Sequence, residues 1–188
     1  MTEYALIVVG ASWGGLRAIS TLLDGIDETI DLPIVIAQHR GTDSSSGALE
    51  GLLQHHVARP VVQASDKEQL QHARVYLAPP DYHLLVDDGA FVLSTDERVQ
   101  YARPSIDVLF ESAADAYRER TIGIVLTGAN ADGAEGLRRI KERGGVAIVQ
   151  DPRTAEAGSM PAAALAAAAA DAVLPVEEIP AFLRGLVA

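Results

Sequence analysis

Three residues of complementary chemistry, Ser12, His39 and Asp132, each stand just beyond an apolar run of the chain. Acyl transfer through a serine needs a hydroxyl, an imidazole to take its proton and a carboxylate to fix the imidazole tautomer. Ser12 sits in Val8-Val9-Gly10-Ala11-Ser12-Trp13-Gly14-Gly15, where glycines on both sides keep the turn tight and the hydroxyl uncovered. Three readings compete for that turn. Ser12 could cap the helix that follows, since Ser is among the best N-caps. Gly10-x-Ser12-x-x-Gly15 could be a dinucleotide loop, although a Ser in place of the middle glycine obstructs the approach of a pyrophosphate. Gly10-x-Ser12-x-Gly14 also fits the strained nucleophile turn. Taken singly, His39 reads as structural and Asp132 as the N-cap of the helix after Gly133. Their coincidence at three strand ends favours the triad.

The elements that must hold these residues follow from hydrophobic patterning. Residues 5–9 and 34–37 are short, branched apolar runs suited to strands buried on both faces, and 16–23 carries Leu16, Ile19, Leu22 and Leu23 at helical spacing. A polar loop, 41–47, precedes a helix over 48–53. Residues 61–63 and 74–78 are further strands. Residues 83–86 and 91–94 flank Asp87-Asp88-Gly89, a hairpin signal, and the hairpin is expected as an appendage at one edge or end of the sheet. Pro104 opens a helix containing Ile106, Leu109 and Phe110; strand 121–126 leads through Thr127-Gly128-Ala129-Asn130-Ala131-Asp132-Gly133 to a helix with Leu137 and Ile140. Gly144-Gly145 closes that helix, and strand 146–149, an Ala-rich helix over 161–170, strand 172–174 and a terminal helix from Glu177 complete the chain. This alternation predicts an α/β fold: a doubly wound, mostly parallel sheet with helices on both faces, three-layer and Rossmann-like, with an added antiparallel hairpin. Ligands of such sheets bind outside the carboxyl ends of the strands, where Ser12, His39 and Asp132 all lie.

Composition narrows the function. At 188 residues the chain, 1–188, reads as one domain without a linker. A net charge of −11 argues against nucleic acid or an anionic membrane as partner. The densest basic group, Arg138, Arg139, Lys141 and Arg143, is interleaved with Glu135 and Glu142 and reads as a solvated helix face. The absence of cysteine excludes disulfides, thiol catalysis and Cys-based zinc sites. Met1-Thr2-Glu3-Tyr4 lacks the basic region of a signal peptide, and the Ala-rich run is too short to span a bilayer, so a cytoplasmic protein without membrane insertion is expected. His55, His56 and His72 lack metal-ligand spacing, and neither metal nor cofactor is expected.

The ordered blocks resemble those of the chemotaxis-receptor protein-glutamate methylesterases, the CheB-type methylesterase domains. Gly10-Ala11-Ser12-x-Gly14-Gly15 is similar to the family's serine turn, Gln38-His39 to its histidine motif, and Leu126-Thr127-Gly128 with Ala131-Asp132-Gly133 to its aspartate motif. Leu77-Ala78-Pro79-Pro80 with His83, Arg103-Pro104-Ser105-Ile106-Asp107, Gln150-Asp151-Pro152 and Met160-Pro161 also match. The resemblance implies that Ser12 is the nucleophile, His39 the base and then acid, and Asp132 the carboxylate that orients His39. It implies hydrolysis of glutamate γ-methyl esters on a chemoreceptor-like signalling protein, with glutamine deamidation as a companion reaction. Backbone N–H groups of Trp13 and Gly14 are candidate oxyanion donors. Trp13, Arg40, Ala129 and Asn130 depart from the family pattern. No receiver domain is expected ahead of the catalytic strand, which leaves three alternatives: a separate receiver or regulatory protein as a partner, a constitutive domain, or service in another signalling pathway. A non-catalytic receptor-binding domain and an NADP-binding module, with Arg40 on the 2′-phosphate, are the alternatives.

Overall fold

The computed structural model describes residues 3–39 and 47–188. Arg40 and most of the polar loop after it lie outside the described residues. Seven strands form one parallel sheet in the order β3-β4-β2-β1-β7-β8-β9. They are β1 (Leu6–Ala11), β2 (Ile34–Gln38), β3 (Val61–Gln63), β4 (Val75–Leu77), β7 (Thr121–Val125), β8 (Val146–Gln150) and β9 (Ala172–Leu174). All six residues of β1 are buried, because side chains alternate between two apolar layers. Ile7, Val9 and Ala11 join the core beneath α1 (Gly15–Asp24), α2 (Ala48–Leu53) and α6 (Ile179–Val187), whereas Leu6 and Val8 face α3 (Ile106–Tyr117), α4 (Ala134–Glu142) and α5 (Ser159–Ala167). The doubly wound three-layer architecture is therefore as the strand and helix periodicities predict. Among the described residues no helix is long and apolar enough to cross a membrane.

Two local expectations change. Leu16, counted with the apolar face of the first helix, is exposed; α1 buries Ala18, Ile19, Leu22 and Leu23. The hairpin β5 (His83–Asp87) and β6 (Ala90–Ser94) forms its own two-stranded sheet over a face of the main sheet, not at its edge. Leu84, Val86 and Phe91 are buried with Val8, Val35 and Tyr76, and the Phe91 ring meets that of Tyr76 edge-on at 4.8 Å between centroids. Its turn is Asp88-Gly89, both at positive φ (44° and 81°), the backbone a two-residue hairpin requires.

The chain runs from β1 outward to β2, on to β3 at the edge and back to β4 between them, then crosses to the other side of β1 as β7. The strand order thus reverses at the β1–β7 pair, which places a crevice above Ala11 and Val125.

Candidate active site

The ladder hydrogen bonds continue one residue past the strands and set the site's frame. The Ser12 N–H donates to Thr127 O at 2.9 Å and the His39 N–H to Ala11 O at 3.0 Å, which fixes the two turns side by side. The Gln38 Nε2 amide then donates to both Ser12 O (2.9 Å) and His39 O (2.8 Å), clamping them from below, while its buried Oε1 finds no partner among the described residues. That amide oxygen fills the place a Cβ on Gly15 would occupy, and Gly14, at φ 75°, supplies the left-handed N-cap of α1. Ser12 therefore does not cap α1. Its hydroxyl turns the other way, to the Nδ1 of His39 at 3.2 Å.

The opposite edge of the imidazole meets Asp132: Nε2 lies 2.7 Å from Oδ2. A carboxylate accepts, so Nε2 carries the hydrogen and Nδ1 offers its lone pair to Ser12. Asp132 is fully buried and accepts three further bonds, from Ser105 Oγ (2.9 Å), Ile106 N–H (2.7 Å) and Asp107 N–H (2.9 Å). Burial alone would push its carboxyl up; the bonds from His39 and then from the Asp107 and Ile106 backbone outweigh that and hold it below the usual carboxylate range. Asp132 is thus a capping residue, but of α3 and not of the helix that follows it. The reciprocal service comes from Asp107, whose Oδ1 accepts the N–H groups of Gly133 (2.9 Å) and Gly136 (2.7 Å) at the start of α4. Burial, followed among the raising effects by the charge of Asp132, lifts the Asp107 carboxyl to about 6.

Ser105, Asp107 and Asn130 have no role assigned from sequence, although Ser105 and Asp107 lie within one of the matching blocks. A Ser one residue before an apolar helix was the available signal. Ser105 N–H donates to His83 Nδ1 (3.2 Å), and His83 Nε2 donates to Glu97 O (3.0 Å), so the hairpin's first residue braces the α3 start. Asn130 places Nδ2 3.1 Å from His39 Nδ1.

The carbonyls of the nucleophile turn are also tied down. Ser12 O accepts from Gly15 N–H and Gln38, and Trp13 O accepts from the Thr127 hydroxyl at 2.9 Å. In trans peptides the N–H points opposite the carbonyl, so the N–H groups of Trp13 and Gly14 are turned away from those anchors. Neither has an acceptor among the described residues, nor has that of Ala129. They border an open cleft of about 760 Å³ whose wall includes Ser12, His39, Leu16, Arg17 and the exposed Trp13 ring. His56 and His72 each face one carboxylate, Asp24 and Asp31, at the surface.

Comparison with known proteins places this geometry in a lineage. The family model described as CheB methylesterase matches residues 7–183. A relative from Leptospira interrogans is 47% identical over 178 residues, covering 94% of this chain and 92% of that one. The Anaeromyxobacter dehalogenans protein-glutamate methylesterase/protein-glutamine glutaminase 2 is 41% identical over 96% of this chain, which spans 53% of it. The Myxococcus xanthus protein-glutamate methylesterase FrzG is 38% identical, with 96% and 54% covered. The crystal structure of the Thermotoga maritima CheB methylesterase catalytic domain superposes with a TM-score of 0.92 at 31% identity, over 98% of this chain and all of that one. Both by sequence along nearly its whole length and by the sheet that carries Ser12, His39 and Asp132, the chain belongs to the CheB methylesterase family.

Proposed function

We propose that Ser12, His39 and Asp132 form a catalytic triad that hydrolyses glutamate γ-methyl esters on a methylated chemoreceptor-like signalling protein, and that the same site deamidates glutamine side chains. The observation that carries this reading is the unbroken line from Ser12 Oγ through Nδ1 and Nε2 of His39 to the buried Asp132 carboxylate. As Ser12 Oγ attacks the ester carbon, its proton passes to Nδ1, and the imidazolium is stabilised by the ionised Asp132 across the Nε2–H bond. Negative charge gathers on the carbonyl oxygen, where the N–H groups of Trp13, Gly14 and Ala129 are the candidate donors. The Nδ1 proton then leaves with methanol, or with ammonia when the substrate is an amide. Water enters, gives its proton to Nδ1 and releases the glutamate carboxylate, and Ser12 is restored. The 3.2 Å separation of Oγ and Nδ1 is that of a resting site, in which catalytic hydrogen bonds are long before substrate is bound.

The dinucleotide reading is disfavoured because the Ser12 side chain occupies the crevice where a pyrophosphate would approach the α1 N-terminus. A receptor-binding domain without turnover gives a different outcome in one experiment. Wild type and Ser12→Ala are compared for methanol release from methylated receptor and for labelling by a fluorophosphonate. The triad requires labelling of Ser12 and a loss of roughly 10³-fold or more in the variant. Activity within tenfold of wild type in Ser12→Ala, or a wild type that neither labels nor turns over, would overturn the proposal.

A further inference from the structure

The Asn130 side chain reaches the imidazole from the nucleophile's side. Its Oδ1 accepts the Asp132 N–H at 3.1 Å, which assigns the amide: the oxygen faces that N–H, so the NH₂ group faces His39 Nδ1, 3.1 Å away. A neutral imidazole whose Nε2–H is held by Asp132 has one in-plane lone pair at Nδ1. Two donors, Ser12 Oγ and Asn130 Nδ2, converge on it.

This arrangement cannot survive the proton transfer. Once Nδ1 carries a hydrogen, it faces the NH₂ of Asn130 donor to donor, and the contact turns repulsive. At the same moment the electron pair displaced by the new Oγ–C bond moves onto the carbonyl oxygen of the substrate, bonded to the carbon beside Oγ. Nδ2 and Oγ flank the same nitrogen, so that oxygen forms on the side of the imidazole where Asn130 stands. We propose that Asn130 is a switched hydrogen-bond donor: it holds Nδ1 as an acceptor in the free enzyme and turns its NH₂ group to the oxyanion during acyl transfer. The switch favours the transition state over the ground state, since a bond to a neutral imidazole is exchanged for a charge-assisted one. No proton moves from Asn130, and the donor is added to those of the backbone.

This inference rests on the triad reading, so its test carries Ser12→Ala as a reference. Methanol release from methylated receptor is measured for wild type, Asn130→Asp, Asn130→Ala and Ser12→Ala, across pH, with thermal stability recorded for each. Asn130→Asp keeps the oxygen that accepts the Asp132 N–H and replaces the donor by an acceptor. The carboxylate also brings a negative charge beside Nδ1, so Asn130→Ala, which removes the donor without adding charge, is compared with it on the alkaline plateau of each profile. Among the described residues, the charged and titratable groups around the imidazole are Asp132, then Arg98, Tyr101 and Arg103 across one wall, and Arg17, His56 and Glu156 across the other; the substitutions leave all of them in place. The expected result is a plateau kcat lowered roughly 10- to 10²-fold in both Asn130 variants with KM within about threefold, somewhat less than the loss of a sole side-chain oxyanion donor. A plateau kcat within about twofold of wild type in Asn130→Asp overturns the proposal, and if Asn130→Ala alone is impaired the residue serves only the turn before Asp132. An active Ser12→Ala would sink the triad reading instead.

Discussion

Replacing Asp132 by Asn separates what this carboxylate does for chemistry from what it does for the fold. Its four bonds pair up by oxygen: Oδ2 takes His39 Nε2 and Ile106 N–H, and Oδ1 takes Ser105 Oγ and Asp107 N–H. An amide has one oxygen, so in either orientation its NH₂ faces a backbone N–H. With the NH₂ toward His39 the imidazole is driven to the wrong tautomer as well. With the NH₂ toward Ser105 the hydroxyl can reverse and accept, so only the Asp107 N–H is left without a partner, and this orientation prevails. One buried, unpaired N–H costs about 1–3 kcal/mol, which at 2–4 °C per kcal/mol for a chain of this size lowers Tm by roughly 2–12 °C. Were Asp132 only the cap of the following helix, Asn would serve nearly as well and Tm would hardly change. Activity falls further, since the retained tautomer does not restore the negative charge opposite the imidazolium; a loss on the order of 10² or more is expected. Differential scanning calorimetry and methanol release on the same preparation test both parts. An unchanged Tm would refute the capping assignment, and activity within about threefold of wild type would refute the role of Asp132 in orienting His39.

Asp107 has the opposite sign. Its folded pKa of about 6 lies above the unfolded value of about 4, so its contribution to stability is full below pH 4 and is lost as pH rises through 6. Asp107→Asn keeps an oxygen for Gly133 and Gly136, and Gln100, which now donates to Asp107 Oδ2, can reverse its amide. Stability should rise at pH 7, on the order of 2 kcal/mol, and not at pH 4; a variant with the wild-type slope between these values would contradict this. Gln38→Leu removes both clamps on the Ser12 and His39 carbonyls, and kcat is expected to fall about tenfold with KM little changed; a wild-type kcat would show the ladder bonds to suffice. Trp13, the chain's single tryptophan and 67% exposed at the cleft, should shift its emission to the blue when receptor peptide binds to Ser12→Ala, and an unchanged spectrum at saturation would place the substrate elsewhere.

The parallel sheet was legible because strands buried on both faces are continuous apolar runs, and the three strand ends that carry Ser12, His39 and Asp132 were legible with them. Hairpin chemistry was equally plain in Asp88-Gly89, but where the hairpin packs was not. The apolar residues 84–86 beside a turn signal identify a strand without showing what it packs against. Asp132 illustrates the same limit. A cap signal identifies a carboxylate that seeks free N–H groups, and the nearest helix in sequence is not the nearest in space: Ile106 lies 26 positions upstream. The Gln38 amide reaches Ser12 O and the Asn130 amide reaches His39 Nδ1, each contact spanning more than 20 residues, and no spacing rule encodes those.

The exchange of carboxylates between α3 and α4 also dictates how the site comes apart. Asp132, at the foot of α4, holds the first N–H groups of α3, and Asp107, in the first turn of α3, holds those of α4. Neither helix can fray at its N-terminus without stripping the other of its cap, so the two ends open as one unit. Amide hydrogen exchange at Ile106, Asp107, Gly133 and Gly136 should therefore proceed with a common opening free energy, although two of these amides belong to a segment more than 20 residues from the other two. An imidazole anchored to that unit keeps its orientation for as long as both helices stay shut.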